Sequence, residues 1–189
     1  MYYIMHLVLD LDETLISVSV LRPNTYDFSF ILNGTTYYGK KRPGLDLFLR
    51  FAFKNFETVS IWTAATREYA VKIVKYIMTE KQIAALMFFK TRKDLAMSPG
   101  GSYFKPLRTI FTDPKAKTKG ITPETTVMID DKAEVLRDNP GSGILIPAWK
   151  GVQSDKYLHK LLIVLDGIVK HGIVFGHFGK VMDLTSIVD

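Results

Sequence analysis

Residues 6–16 read "HLVLDLDETLI": an apolar run, Leu7-Val8-Leu9, stops at Asp10 and Asp12, with Thr14 just beyond. A strand buried on both faces appears in sequence as a near-continuous hydrophobic run, the mark of a parallel sheet covered by helices. Residues 3–9 are therefore expected to form such a strand, with two carboxylates at its carboxyl end. A polar turn or helix N-cap would also place an acid there. An EF-hand loop would not, because Leu15 stands where that loop requires glycine.

Working outward, strand and helix patterns alternate. "YDFSFILNGTTYYGKKRPG" alternates on either side of Asn33-Gly34, a dipeptide suited to a two-residue type I′ turn, so a β-hairpin is expected. Pro43-Gly44 opens the helical pattern "GLDLFLRFAFKN", and "TVSIWT" is a second strand ending at Thr63. "REYAVKIVKYIM" has helical spacing, "AALMFF" is a short strand, and residues 91–104 are polar and glycine-rich. "FKPLRTIF" predicts a helix with Pro106 in its first turn, where the missing N–H costs nothing. "KAKTKGITPE" is expected as a basic loop, "TTVMIDD" and "SGILIPAW" as strands, and "DKYLHKLLIVLDGIVKH" as a closing helix. The alternation implies an α/β fold with a mainly parallel sheet and helices on both faces.

Composition narrows the function. With 189 residues, 47% hydrophobic and 23% charged, residues 1–189 are expected to fold as one soluble domain. Zero cysteines exclude disulfides, cysteine-ligated zinc and cysteine nucleophiles, and fit a reducing compartment. The net charge of +6 favours anionic partners without choosing between nucleic acid and a phosphorylated peptide, although it is not gathered into one long basic arm, which counts against nucleic acid. No stretch is apolar enough to span a membrane, since Asp166, Lys170 and His171 interrupt the best one. The chain enters its first strand almost at once, leaving no room for a signal or transit peptide, so an intracellular address is expected.

Three predicted strands end on reactive groups: Asp10-x-Asp12, Thr63, and Asp130-Asp131. In open α/β sheets the ligand site lies beyond the carboxyl ends of the strands, at the topological switch point. Neighbouring strands would bring four carboxylates into one crevice, where their repulsion calls for a hard divalent cation. Mg²⁺ suits such a site, taking one or two carboxylates and sharing its other positions with water and a substrate phosphate.

"DLDETL" after an apolar strand resembles motif I of the haloacid dehalogenase (HAD) superfamily. With "KKRPGLDLFLRFAFKNFETVSIWTAATREYA", "YFKPLRTI" and "VMIDDKAEVLRDNPGSGILIPAW", the chain resembles the small CTD-phosphatase branch, which acts on the heptad-repeat tail of RNA polymerase II. The resemblance covers most of residues 6–149. It implies an HAD-like Rossmannoid sheet, a Mg²⁺ cofactor, a phosphorylated protein or peptide as partner, and a nuclear location. By the same resemblance Asp10 is the nucleophile and Asp12 the acid and base, touching the metal only through its main-chain oxygen. Thr14 orients the loop, Thr63 donates to a phosphoryl oxygen, and Lys105 neutralises phosphate charge. Asp130 and Asp131 complete the metal site. Small members often carry Asn at the second of these positions, which leaves open whether Asp130 or Asp131 touches the metal.

Only a hairpin and one helix separate Thr14 from Thr63, too little for a large cap domain. An uncapped site stays open to a macromolecule. The resemblance points to Val20 and Tyr69 as walls for a proline beside the phosphoserine, and to Lys90 or Arg92 as a contact to peptide or phosphate. "GKKRPG" is expected as a solvated strand end leading into a helix, and His6, His159, His171 and His177 as structural or surface residues. Two alternatives stand beside a phosphoprotein phosphatase: an HAD phosphatase acting on nucleic-acid ends or nucleotides, and a non-catalytic peptide-binding module of the same fold.

Overall fold

A computed structural model describes residues 3–139, 141–172 and 182–185. Its central sheet has six strands: β1 (His6–Leu9), β5 (Thr58–Trp62), β6 (Leu86–Lys90), β9 (Thr126–Asp130), β10 (Gly143–Leu145) and β11 (Met182–Asp183), in the order β11-β10-β9-β1-β5-β6. All five pairings are parallel. The chain runs outward from β1 through β5 to β6, then returns to the other side of β1 for β9, so the switch point lies between β1 and β9.

Side-chain alternation assigns the two faces. Leu7, Leu9, Val59, Ile61, Val127 and Ile129 join one core cluster, with α1 (Leu45–Asn55), α2 (Arg67–Ile77) and α7 (Tyr157–His171) packed over it. Val8, Trp62 and Met128 point the other way, against α4 (Arg108–Phe111), α5 (Pro114–Thr118) and α6 (Ala133–Leu136). The central strands are buried throughout, as expected from their unbroken apolar runs. A parallel central sheet covered on both faces confirms the α/β class.

The insertion between Thr14 and α1 is larger than a hairpin. β2 (Ile16–Ser19) adds to β3 (Phe28–Leu32) and β4 (Thr35–Lys41), making a three-stranded antiparallel sheet in the order β2-β4-β3. Asn33 (φ 51) and Gly34 (φ 75) form the expected two-residue turn. Gly39 faces Phe28 across the ladder, and a Cβ there would lie 2.1 Å from the Phe28 ring. That absent methyl lets Phe28 lie flat and stack on Tyr76 of α2. Phe30 and Tyr37 likewise pack on Tyr69 of α2, seating the small sheet against the helix.

Other boundaries also shift. Ala84 closes a short helix, α3 (Glu80–Ala84), so β6 starts at Leu86. A 3₁₀ turn (Arg92–Asp94) and a two-residue hairpin, β7 (Ala96–Met97) with β8 (Tyr103–Phe104), occupy the glycine-rich stretch. Part of the expected basic loop is α5, capped by the Asp113 side chain with Pro114 behind it. Pro106 precedes the first helical residue of α4, so Lys105 lies on the connection from β8 and not in a helical turn. No helix among the described residues is long and apolar enough to cross a membrane.

Candidate active site

The switch point collects the acids. Asp10 follows β1 and its N–H bonds the carbonyl of Ile129, tying it to the neighbouring strand β9 that ends at Asp130. Carboxylate oxygens of Asp10, Asp130 and Asp131 lie within 4.8 Å of one another, and the first two residues are buried. Lys105 is 1% exposed and its Nζ donates to Asp10 Oδ1 at 2.6 Å and to Asp130 Oδ2 at 2.7 Å. Burial alone would lower the ammonium's pKa, but the two carboxylates outweigh it and raise it. Burial, and then the charge of Asp10, push both Asp130 and Asp131 upward.

Asp130 has both oxygens engaged, Oδ2 by Lys105 and Oδ1 by the backbone N–H of Lys132 at 2.9 Å. Asp131 uses Oδ1 to accept from Thr14 Oγ1 at 3.2 Å. Asp10 uses Oδ1 for Lys105. With these bonds made, the second oxygens of Asp10 and Asp131 are left for a metal. An all-oxygen donor set with few carboxylates fits a hard divalent cation.

Asp12 stands apart from this cluster. Its Oδ1 accepts from Tyr69 Oη at 2.6 Å. Burial raises the Asp12 pKa to about 6, with Tyr69 pulling it down and Asp10 pushing it up. Burial and the adjacent Asp12 also raise the Tyr69 hydroxyl, so it stays a donor. Tyr69 is placed by its helix: Thr66 caps α2 by accepting from the Tyr69 N–H. Thr63 is buried at the end of β5, where its Oγ1 accepts from Ala65 N–H and keeps its own proton to give.

Arg42 is a correction. The expected solvated strand end is instead a buried guanidinium, 1% exposed, paired to Asp155 through Nε and Nη2, each at 2.9 Å. It also donates to the carbonyls of Thr14 at 3.0 Å and Pro147 at 3.1 Å. Thus it clamps the acidic loop, where Glu13 adopts φ 62, to the end of the sheet. Trp149 N–H adds a bond to the Glu13 carbonyl, and Lys150 pairs with the Glu13 side chain. Asn139 also has a structural role that its sequence context does not announce. It is buried, and it donates to the Lys105 carbonyl at 2.7 Å and accepts from Leu107 N–H at 2.9 Å, gripping the backbone on both sides of Pro106. Nothing in "RDNPG" distinguishes it from a turn asparagine.

The expected substrate residues divide. Tyr69 and Arg92 line a cavity of about 490 Å³ with Asp12, Leu32, Asn33 and Tyr37. Val20 is 56% exposed and lines neither this cavity nor the one beside Lys105. Lys90 lies over the Trp62 ring, 5.2 Å from its centroid, and is likewise absent from their walls. Thr14 is fully buried and serves Asp131 and Arg42 from behind the site. Of the histidines, His6 bonds Thr58, and His159 packs on Gly44, where a Cβ would come within 2.6 Å of its ring. His177 lies outside the described residues.

Residues 5–174 match the profile of the NLI interacting factor-like phosphatases. The chain belongs to that family. A relative from Dictyostelium discoideum, described as a probable C-terminal domain small phosphatase, is 30% identical over 168 residues, covering 87% of this chain and 50% of its own. The CTD nuclear envelope phosphatase 1 of Xenopus laevis is 29% identical over 174 residues, covering 86% of this chain and 66% of that one. The solved structure of Fcp1, an essential RNA polymerase II CTD phosphatase, shares the fold with a TM-score of 0.59 at 23% identity, covering 88% of this chain and 50% of that one. The chain thus spans about half the length of the Dictyostelium relative and of Fcp1.

Proposed function

We propose that this family member is a Mg²⁺-dependent phosphoserine/phosphothreonine protein phosphatase working through an aspartyl-phosphate on Asp10. The observation that carries the proposal is the separation of two kinds of carboxylate. Asp10 is buried against a lysine and two further acids, whereas Asp12 sits outside that cluster with a pKa raised to about 6. One environment suits an anionic nucleophile and the other a group that gives and takes a proton near neutrality.

In the first step an Asp10 oxygen forms a bond to phosphorus as the P–O bond to the seryl oxygen breaks. That oxygen leaves with the Asp12 proton, held on line by Tyr69. In the second step Asp12, now a carboxylate, takes a proton from water as the water oxygen bonds phosphorus, and the bond to Asp10 breaks to release inorganic phosphate. Lys105 steadies the charge on Asp10 and the phosphoryl group throughout, and the Thr63 hydroxyl donates to a phosphoryl oxygen. Asp10, Asp131 and the main-chain oxygen of Asp12 would hold Mg²⁺, with Asp130 holding Lys105. Bound there, the ion supplies positive charge for the phosphoryl oxygens.

Peptide substrates are favoured by the open, aromatic-walled cavity beside Asp12 and by the absence of a large cap among the described residues. RNA polymerase II repeats are one such peptide, and relatives named for the nuclear envelope or the CTD motivate a nuclear address. The test is phosphate release from a phosphopeptide panel with and without Mg²⁺, alongside 3′-phosphorylated oligonucleotides. Turnover of peptides that requires the metal supports the proposal. Turnover of oligonucleotides alone, or peptide binding without turnover, rejects it.

A further inference from the structure

Two cavities flank the reacting centre and share one wall. The first, about 490 Å³, opens on Asp12, and the second, about 460 Å³, opens on Lys105. Ala64, Arg92 and Lys132 line both. A chain crossing the site from one cavity to the other therefore runs along a wall that carries both cations.

Both cations are exposed, and the backbone beneath each is fixed. Arg92 is tied twice to the turn that follows Thr63: its N–H donates to the Ala65 carbonyl and its Nε to the Ala64 carbonyl, both at 2.9 Å. The Lys132 N–H is anchored on Asp130 Oδ1. Neither side chain is in an ion pair among the described residues, although Lys132 lowers the pKa of nearby Asp131. The nearest acid in sequence to Arg92, Asp94, is spent on the Thr91 N–H. Glu134 is the one carboxylate on the wall of the second cavity, and Lys105 there is already committed to two acids. The scissile phosphate thus has Lys105 and Thr63, and the rim keeps positive charge beyond them.

We propose that Arg92 and Lys132 form an anion subsite beside the phosphorylated residue, selecting peptides that carry a second acidic group close to the scissile phosphate. The proposal rests on the phosphoprotein phosphatase reading above. The second group is a phosphate or a carboxylate, and a planar guanidinium held at Nε by the Ala64 carbonyl still has its terminal nitrogens to offer to either. An extended peptide advances roughly 3.3 Å per residue, so three residues on either side of the target sample about 10 Å in each direction.

The experiment uses phosphoserine peptides carrying phosphoserine, glutamate or alanine at each of three positions on either side, with kcat/KM as the readout. At the favoured position the doubly phosphorylated peptide should exceed the alanine peptide by about tenfold, with glutamate between them, and the advantage should shrink in high salt. Arg92→Gln and Lys132→Gln should each cut that ratio, and the double variant should bring it near one. Lys117→Ala, on exposed α5, should leave it unchanged. A wild-type ratio near one, or a ratio untouched by the double variant, overturns the subsite while leaving the phosphatase reading in place. No turnover of any phosphopeptide takes both down, and a preference for 3′-phosphorylated oligonucleotide over every peptide assigns the cations to a nucleic-acid backbone instead.

Discussion

Lys105→Met removes a charge while nearly keeping the volume of the side chain. It leaves Asp10 and Asp130, each bonded to that nitrogen at 2.6–2.7 Å, facing one another in a buried site with Asp131 close by. Deleting one partner of a buried ion pair costs about 3–5 kcal/mol, because the remaining charge is uncompensated. For a chain of this size 1 kcal/mol moves Tm by about 2–4 °C, so metal-free protein should melt roughly 6–20 °C lower. The sign of the pH dependence follows. Without the ammonium, carboxylate pKa values climb further, so protonation relieves the repulsion in acid, and the loss in Tm should be larger at pH 8 than at pH 5. Calorimetry in chelator across that range measures the effect, and added Mg²⁺ should narrow it. Turnover should fall on the order of 10²-fold or more, the scale for losing a preorganised charge donor. A fall in Tm of less than about 2 °C at pH 8 in chelator would refute the reasoning, because it would mean that the lysine does not hold the acids together.

Tyr69→Phe removes the hydrogen bond to Asp12, and kcat should drop roughly tenfold on phosphoserine peptides but much less on an aryl phosphate, whose leaving group needs little protonation; parallel kinetics on both substrates check this. Asn139→Ala leaves the Lys105 carbonyl and Leu107 N–H without their partner, which should cost about 1–3 kcal/mol in denaturant unfolding together with a loss in kcat. His6, at the far end of β1, has a pKa lowered from 6.5, chiefly by burial and partly offset by Glu57. The unfolded chain then binds more protons, so His6's contribution is complete above pH 6.5 and is lost as pH falls below it; comparing Tm against pH for wild type and His6→Gln isolates that slope.

The residues that carried the sequence reading are those whose environment is local. β1, β5 and β9 are buried on both faces, so their apolar runs announce them, and the acids at their ends mark the crevice. Asp113-Pro114 also carried a signal for α5, a cap followed by proline, which the surrounding lysines obscured. Arg42 and Asn139 could not be read in this way. Arg42 owes its burial to Asp155, 113 residues away, and Asn139 to a backbone 34 residues earlier. Before the fold exists, each looks like an ordinary polar residue in a turn. β2 was missed for a related reason: "ISVS" is short and half polar, and becomes a strand by pairing with β4.

The place of β1 in the sheet also orders events in time. It lies between β5 and β9, and its pairing with β9 joins residues roughly 120 positions apart, which at ribosomal speeds of about 5–20 residues per second means a wait of several seconds to tens of seconds. For that interval, three consecutive aliphatic residues, Leu7-Val8-Leu9, have at least one of their two edges unoccupied. Asp10, which follows them, meets Lys105 only after 95 further residues have been made. A nascent chain would therefore hold an exposed strand edge and an unneutralised Asp10 together, and that segment is where chaperone binding or misassembly during synthesis should concentrate.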